Sequence, residues 1–143
     1  MKTVRQLLGR KGNSVFTTAP DTTVLEALEE MAERNVGALV VLDPEGEVTG
    51  LVSERDYARK VILRGKVSRD TAVRDIMTTE VICVSSQQNV DACMKLMTEH
   101  RIRHLPVVEN GQLAGLISIG DVVKAVIEDQ QFTIEQLQHY IRG

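Results

Sequence analysis

One pattern of seven residues occurs twice in this chain, and it narrows the possible folds more than any other feature. The first copy is Gly50-Leu51-Val52-Ser53-Glu54-Arg55-Asp56 and the second is Gly115-Leu116-Ile117-Ser118-Ile119-Gly120-Asp121. Each reads as a glycine, strand-forming apolar residues and a Ser-x-x-Asp step, then an apolar helical run (Tyr57 to Leu63, Val122 to Ile127). A serine closing a strand with Asp shortly after it marks a helix start. The hydroxyl caps free backbone N–H groups, and Asp in the first turn suits the positive end of the helix dipole. Taken singly, either copy says no more than that. A hydroxyl beside free N–H groups also makes an anion site, and a nearby carboxylate can accept from two sugar hydroxyls. Occurring twice in the same context, that combination suits a nucleotide.

The duplication reaches well beyond the two corners. Residues 15–62 and 81–127 superimpose with an offset of 66 before the hairpin loop and 65 after it. Val15-Phe16-Thr17-Thr18 matches Val81-Ile82-Cys83-Val84, both strand-like. Val24, Leu28 and Met31 match Val90, Met94 and Met97, each set spaced as one helix face. Thr23 and Asn89 stand where N-caps are wanted, and Thr23 with Glu26 has capping-box spacing. Ala38 to Leu42 and His104 to Val108 read as buried strands, followed by turns at Asp43-Pro44-Glu45-Gly46 and Glu109-Asn110-Gly111. Val48 to Ser53 and Leu113 to Ser118 complete the hairpins. A preamble repeats as well, Val4-Arg5-Gln6-Leu7-Leu8 and Val73-Arg74-Asp75-Ile76-Met77.

Each half therefore reads strand, helix, strand, strand, helix, an α/β unit with a small mixed sheet and helices on one side. A half of roughly fifty residues is near the lower limit for an independent core, so the halves are expected to pack as one module with pseudo-twofold symmetry. The expected divisions are a first repeat over 4–64, a linker over 65–72 that could act as a hinge, a second repeat over 73–128 and an amphipathic C-terminal helix over 129–143. In that last segment Phe132, Ile134, Leu137, Tyr140 and Ile141 form a sticky face, to be covered by its own module or by a second subunit.

Composition removes several function classes. Charged content of 26% and hydrophobic content of 43% are those of an ordinary globular domain. A net charge of −3 argues against a general nucleic-acid binder, which needs a basic surface. Aromatic content of 3% leaves the core to aliphatic residues. Cys83 and Cys93 fall in apolar patterns and read as small core hydrophobes, with no disulfide framework. No signal-peptide-like or membrane-length apolar run is present, so a cytoplasmic protein with no membrane partner is expected. His100 and His104 lie four apart but at a helix end and a strand start, without a third ligand, so no metal is expected. Gly9-Arg10-Lys11-Gly12 lacks Walker spacing and reads as a solvated turn. Base–nucleophile pairs, metal clusters and paired acids are all missing, which argues against an enzyme.

The strings Val73-Arg74-Asp75-Ile76-Met77-Thr78 and Arg103-His104-Leu105-Pro106-Val107-Val108, with the two Gly-x-x-Ser-x-x-Asp stretches, carry a family resemblance. In this order and duplication, residues 4–127 resemble a stand-alone tandem pair of CBS domains, a Bateman module. The resemblance implies a regulatory binder of adenine nucleotides such as AMP, ADP, ATP, NAD or S-adenosylmethionine, held between repeats. It implies no catalytic cofactor. Asp56 and Asp121 would then accept from ribose hydroxyls, and Ser53 and Ser118 would hold phosphate oxygens. Many relatives carry Thr at the serine position. The base would lie near Phe16-Thr17 or Ile82-Cys83, with Gly37-Ala38-Leu39 or Arg103-His104-Leu105-Pro106 closing the pocket. The resemblance also implies a homodimer and an unidentified downstream protein that reads its state.

The two sites differ. Arg103 and His104 stand in the second where the first has Gly37 and Ala38, and Arg55 stands in the first where the second has Gly120. Arg55 and Arg59 could neutralise phosphates at either site. Leu105-Pro106 makes the second pocket the more typical, and the second site is expected to bind better. The alternative is a module without ligand, kept for fold and protein interaction.

Overall fold

The computed structural model describes residues 2–11 and 15–142, with Lys11 by its backbone alone. The fold is mixed α/β with small sheets and helices. Its described residues fall into two compact units, one of 15–82 and 110–114, the other of 2–11, 83–109 and 115–142. They are called here the Ser53 unit and the Ser118 unit.

In the Ser53 unit, β1 (Thr17–Thr18), β2 (Ala38–Leu42) and β3 (Val48–Ser53) form a sheet in that order. The β1–β2 pairing is parallel, Thr17 opposite Val40, and the β2–β3 pairing antiparallel, Ala38 opposite Ser53. Helix α2 (Val24–Arg34) starts at Thr23, whose hydroxyl accepts from the Glu26 N–H at 3.1 Å. It ends where Asn35 turns left-handed at φ 55°, a conformation Asn tolerates better than most residues. Its Val24, Ala27 and Met31 pack with Leu39, Val41 and Val52 of the sheet. Helix α3 (Glu54–Tyr57) runs on as a π-helical turn over Ala58–Ile62, with Val61 turned into the same core.

The Ser118 unit repeats this plan. Helix α4 (Val90–His100) is capped by Asn89, which accepts from the Ala92 N–H at 2.8 Å, and ends at a left-handed Arg101. Strands β4 (His104–Glu109) and β5 (Gln112–Ser118) pair through Asn110 and Gly111, both at positive φ as a tight two-residue hairpin requires. The expected strand over Val81–Val84 is reduced to one parallel bridge, Val84 with Val107. That bridge is the counterpart of Thr18 with Val41, 66 residues earlier in each chain. In the first copy the Val40 N–H also donates to the Phe16 carbonyl, at 3.2 Å. The residue matching Val40 is Pro106, which has no N–H to give, so the ladder stops one rung short.

Two further expectations are corrected. Gly9, Arg10 and Lys11 are the last turn of helix α1 (Val4–Lys11), not a loop; Gly12 lies outside the described residues. The C-terminal segment is no separate element either. It continues helix α5 (Ile119–Arg142) without a break.

The preambles are exchanged between the units. Val24 donates to Thr71 and Val73 to Thr22, both at 2.8 Å; Val90 donates to Lys2 at 2.9 Å and Val4 to Gln88 at 2.8 Å. The preamble of the second copy thus closes the helix start of the first, and the reverse. Val73 and Ile76 complete the core around Leu39, and Val4 and Leu7 are buried in the Ser118 unit at the positions matching them. The repeated glycine is explained by the same exchange. A Cβ on Gly50 would lie 2.6 Å from the Met77 sulfur, and a Cβ on Gly115 would lie 2.6 Å from a Leu8 methyl.

Gly115→Ala is accordingly expected to destabilise the protein by about 1–3 kcal/mol through overpacking. Combining it with Leu8→Ala should cost clearly less than the sum of the two single changes. Urea unfolding of the four proteins in the cycle measures this, and strict additivity would show that the glycine is not shaped by Leu8.

Candidate functional site

Both Ser-x-x-Asp steps fold into the same corner. Ser53 lies at the end of β3 in extended backbone (φ −132°, ψ 165°), and its hydroxyl accepts from the Asp56 N–H at 3.2 Å. The Asp56 carboxylate reaches back to accept from the Ser53 N–H at 3.0 Å, closing a reciprocal capping box. Ser118 repeats both bonds, its N–H donating to the Asp121 carboxylate at 2.8 Å and its hydroxyl accepting from the Asp121 N–H at 3.2 Å. The corner is tied to the neighbouring strand in both units. Glu54 N–H donates to the Gly37 carbonyl at 3.1 Å, and Ile119 N–H donates to the Arg103 carbonyl at 2.8 Å.

The Ser53 unit brings the first group of candidate residues to one end of its sheet. Ala38 is opposite Ser53, and Thr17 is on the adjoining strand opposite Val40. Phe16 precedes it, half-buried, with the Arg34 guanidinium 5.0 Å from its ring centre, within cation–π range. Ala38 itself is buried, Thr17 and Arg55 are exposed, and Ser53 and Asp56 are intermediate.

The Asp56 carboxylate is more heavily engaged than its sequence context suggests. Besides Ser53 it meets Lys60 Nζ at 3.1 Å and the Thr78 hydroxyl at 3.4 Å. Lys60 also donates to the Ile76 carbonyl at 2.8 Å. The i, i+4 spacing of Asp56 and Lys60 could have announced the ion pair. Thr78 could not be found that way, because it arrives through a bridge to Leu51. Ala125 stands at the position matching Lys60, and Gly9 at that matching Thr78.

In the Ser118 unit Arg103 is exposed at the start of β4, His104 is half-buried, and Leu105 and Pro106 are buried. The Pro106 carbonyl accepts from Val84 at 2.9 Å. Cys83 just before it is exposed, which corrects the expectation of a core residue; Cys93 is buried as expected. Thr17, the matching residue 66 positions earlier, is exposed as well although its strand is paired, so the position faces outward in both copies. Partial burial still pushes the Cys83 thiol up, the opposite of what an activated nucleophile needs. Ile82, half-buried, is the last residue of the Ser53 unit before Cys83.

A cleft missed by sequence reasoning opens beside the first corner. It has a volume of about 270 Å³ and is lined by Leu28, Met31, Ala32, Asn35, Val36, Gly37 and Glu54. Its one charged group is a carboxylate, so its chemistry does not suit a phosphate. Among the described residues no helix is long and apolar enough to cross a membrane.

Comparison with known proteins gives this geometry a family. The CBS domain model matches residues 5–63 and again residues 73–128. The mitochondrial CBS domain-containing protein CBSX3 of Arabidopsis thaliana is 40% identical over 99% of this chain and 72% of its own length. Among solved structures, a protein with CBS domains from Burkholderia ambifaria MC40-6 is 51% identical, with a TM-score of 0.86 over 93% of this chain and 99% of that one. A CBS domain pair solved in complex with 5′-methylthioadenosine and S-adenosyl-L-methionine shares the fold, with a TM-score of 0.81 at 22% identity over 90% of this chain and 98% of that one. With two matches that together cover most of its length, this chain belongs to the CBS domain family and carries the domain as a tandem pair.

Proposed function

We propose that this protein is a regulatory module that binds an adenine nucleotide of the AMP, ADP, ATP or NAD class at its Ser-x-x-Asp corners. The observation that carries the reading is the corner built twice. In each, a carboxylate and a hydroxyl are held at a helix start by reciprocal bonds rather than left to rotate. A carboxylate oriented in this way can accept from a ribose diol, and the adjoining N–H groups and hydroxyl favour an anion. The solved CBS pair that holds two adenosine compounds supports the ligand class. Of the two corners the Ser118 one is favoured, since Leu105-Pro106 at its strand entry is the more typical of the family. Binding would signal by preferring one shape or assembly of the protein over another, as a homodimer read by a downstream protein.

A second reading has its own support. The capping boxes are complete without any ligand, so the Ser-x-x-Asp steps have a structural use, as expected of a module kept for fold and protein interaction. The two readings diverge in solution. Under the first, one of AMP, ADP, ATP, NAD or S-adenosylmethionine at a hundred times its dissociation constant adds about 2.7 kcal/mol. In a domain of this size that raises Tm by roughly 5–10 °C. No shift with any of them at millimolar concentration would favour the interaction module.

The carboxylate role has a separate check. Asp121→Asn keeps an oxygen to accept from Ser118 but replaces the carboxylate with an amide. It is expected to remove most of the ligand-induced shift while lowering the ligand-free Tm only slightly, and Asp56→Asn should reduce the shift less. If both variants respond to ligand as the parent protein does, the two carboxylates only cap helices.

A further inference from the structure

Helix α5 has two apolar sides that face different ways. Val122 and Ala125, 0% and 1% exposed, seat its first turns on the Ser118 unit, and at 100° per residue Phe132 continues that side. Val123, Ile127, Ile134, Leu137 and Ile141 lie on the other side and are 47–81% exposed. From Gln130 to Arg142 every residue is exposed. The helix's own unit cannot cover this second side, because the helix presents its opposite side to that unit.

The spacing says what can cover it. Positions 123, 127, 130, 134, 137 and 141 alternate steps of four and three, a heptad seam. Isoleucine fills each a position (Ile127, Ile134, Ile141), and the d positions hold Val123, Gln130 and Leu137. Branched residues at a with Leu at d favour two parallel strands. The flanking positions, Lys124, Gln131 and Gln138 on one side and Val126, Thr133 and Tyr140 on the other, carry a single charge, so identical helices meet without repulsion.

We propose that the seam is covered by α5 of a second copy, parallel and in register. That alignment sets Gln130 against Gln130, where each amide can both donate and accept. It also sets Ile141 against Ile141, which an antiparallel pairing centred on Gln130 would leave outside the seam. Antiparallel alignment of Ile127 to Ile141 would place Gln130 against Leu137 and bury an amide without a partner. Nucleating the helix adds no obstacle, since its first turns are already fixed by Val122 and Ala125. The proposal stands independently of nucleotide binding.

Disulfide trapping in the full-length protein tests it. Cys83 is exposed and is first changed to Ser, while Cys93 is buried and stays. Single cysteines are then introduced as Ile134→Cys, Ile141→Cys and Phe132→Cys, and each protein, shown to be folded by circular dichroism, is oxidised with diamide. Parallel pairing predicts covalent dimers from Ile134→Cys and Ile141→Cys, little from Phe132→Cys, and loss of the Ile141→Cys dimer when Leu137→Glu is added. Cross-linking at 134 but not at 141 would mean antiparallel helices and overturn the proposal. So would equal cross-linking of Phe132→Cys, no cross-linking at either seam position, or indifference to Leu137→Glu.

Discussion

Backbone hydrogen bonds between each preamble and the helix start of the other copy are the constraint on which the rest of each unit depends. Two such bonds, at 2.8 and 2.8 or 2.9 Å, fix the chain on either side of Thr23 and of Asn89. They hold in place the segment that delivers Val73 and Ile76, or Val4 and Leu7, into a core of limited size. Burying each of these side chains stabilises the fold by about 1.5–3 kcal/mol. A small unit that buries few large residues has little to spare for their loss. The same segments press Met77 on Gly50 and Leu8 on Gly115, which leaves each β3-type strand room for a glycine only.

The candidate sites inherit their geometry from that arrangement. With the strand fixed, Ser53 and Ser118 end it in extended backbone, and the first free N–H groups of the following helix have the serine hydroxyl as acceptor. The carboxylates are then oriented by the serine N–H groups. The first corner gains two more contacts, one from its own helix through Lys60 and one from the preamble through Thr78. The Asp56 carboxylate is thereby paired with a cation held on its own helix.

Helix faces, caps, hairpin turns and the twofold repetition were legible because each is a local pattern. Thr23, Asn89, Ser53 and Ser118 all cap as their spacing indicates, and Val24, Met31, Val90 and Met97 turn inward as expected. Leu28, by contrast, is only partly buried and Met94 is exposed, Ala27 and Cys93 taking the inward positions. Cys83 was misjudged because in an extended segment alternate side chains face opposite ways, and it shares the outward position of Thr17 while Val84 is buried. The missing N–H of Pro106 shortens the strand pairing beside it, and that signal was in the sequence to be read. The Gly9–Lys11 turn was misjudged because glycine was given more weight than the helix it ends.

The sequence by itself determined the CBS pair, the two Ser-x-x-Asp corners and the amphipathic C-terminal helix, since these rest on residue types at short, repeated spacings. Tertiary structure alone decided which preamble joins which unit, that Thr78 reaches Asp56, and which side of α5 stays uncovered. Those outcomes depend on contacts between residues far apart in the chain. Nothing in a local spacing distinguishes Val73 packing beside Leu39 from Val73 packing beside Leu105; only the closing of a complete core does.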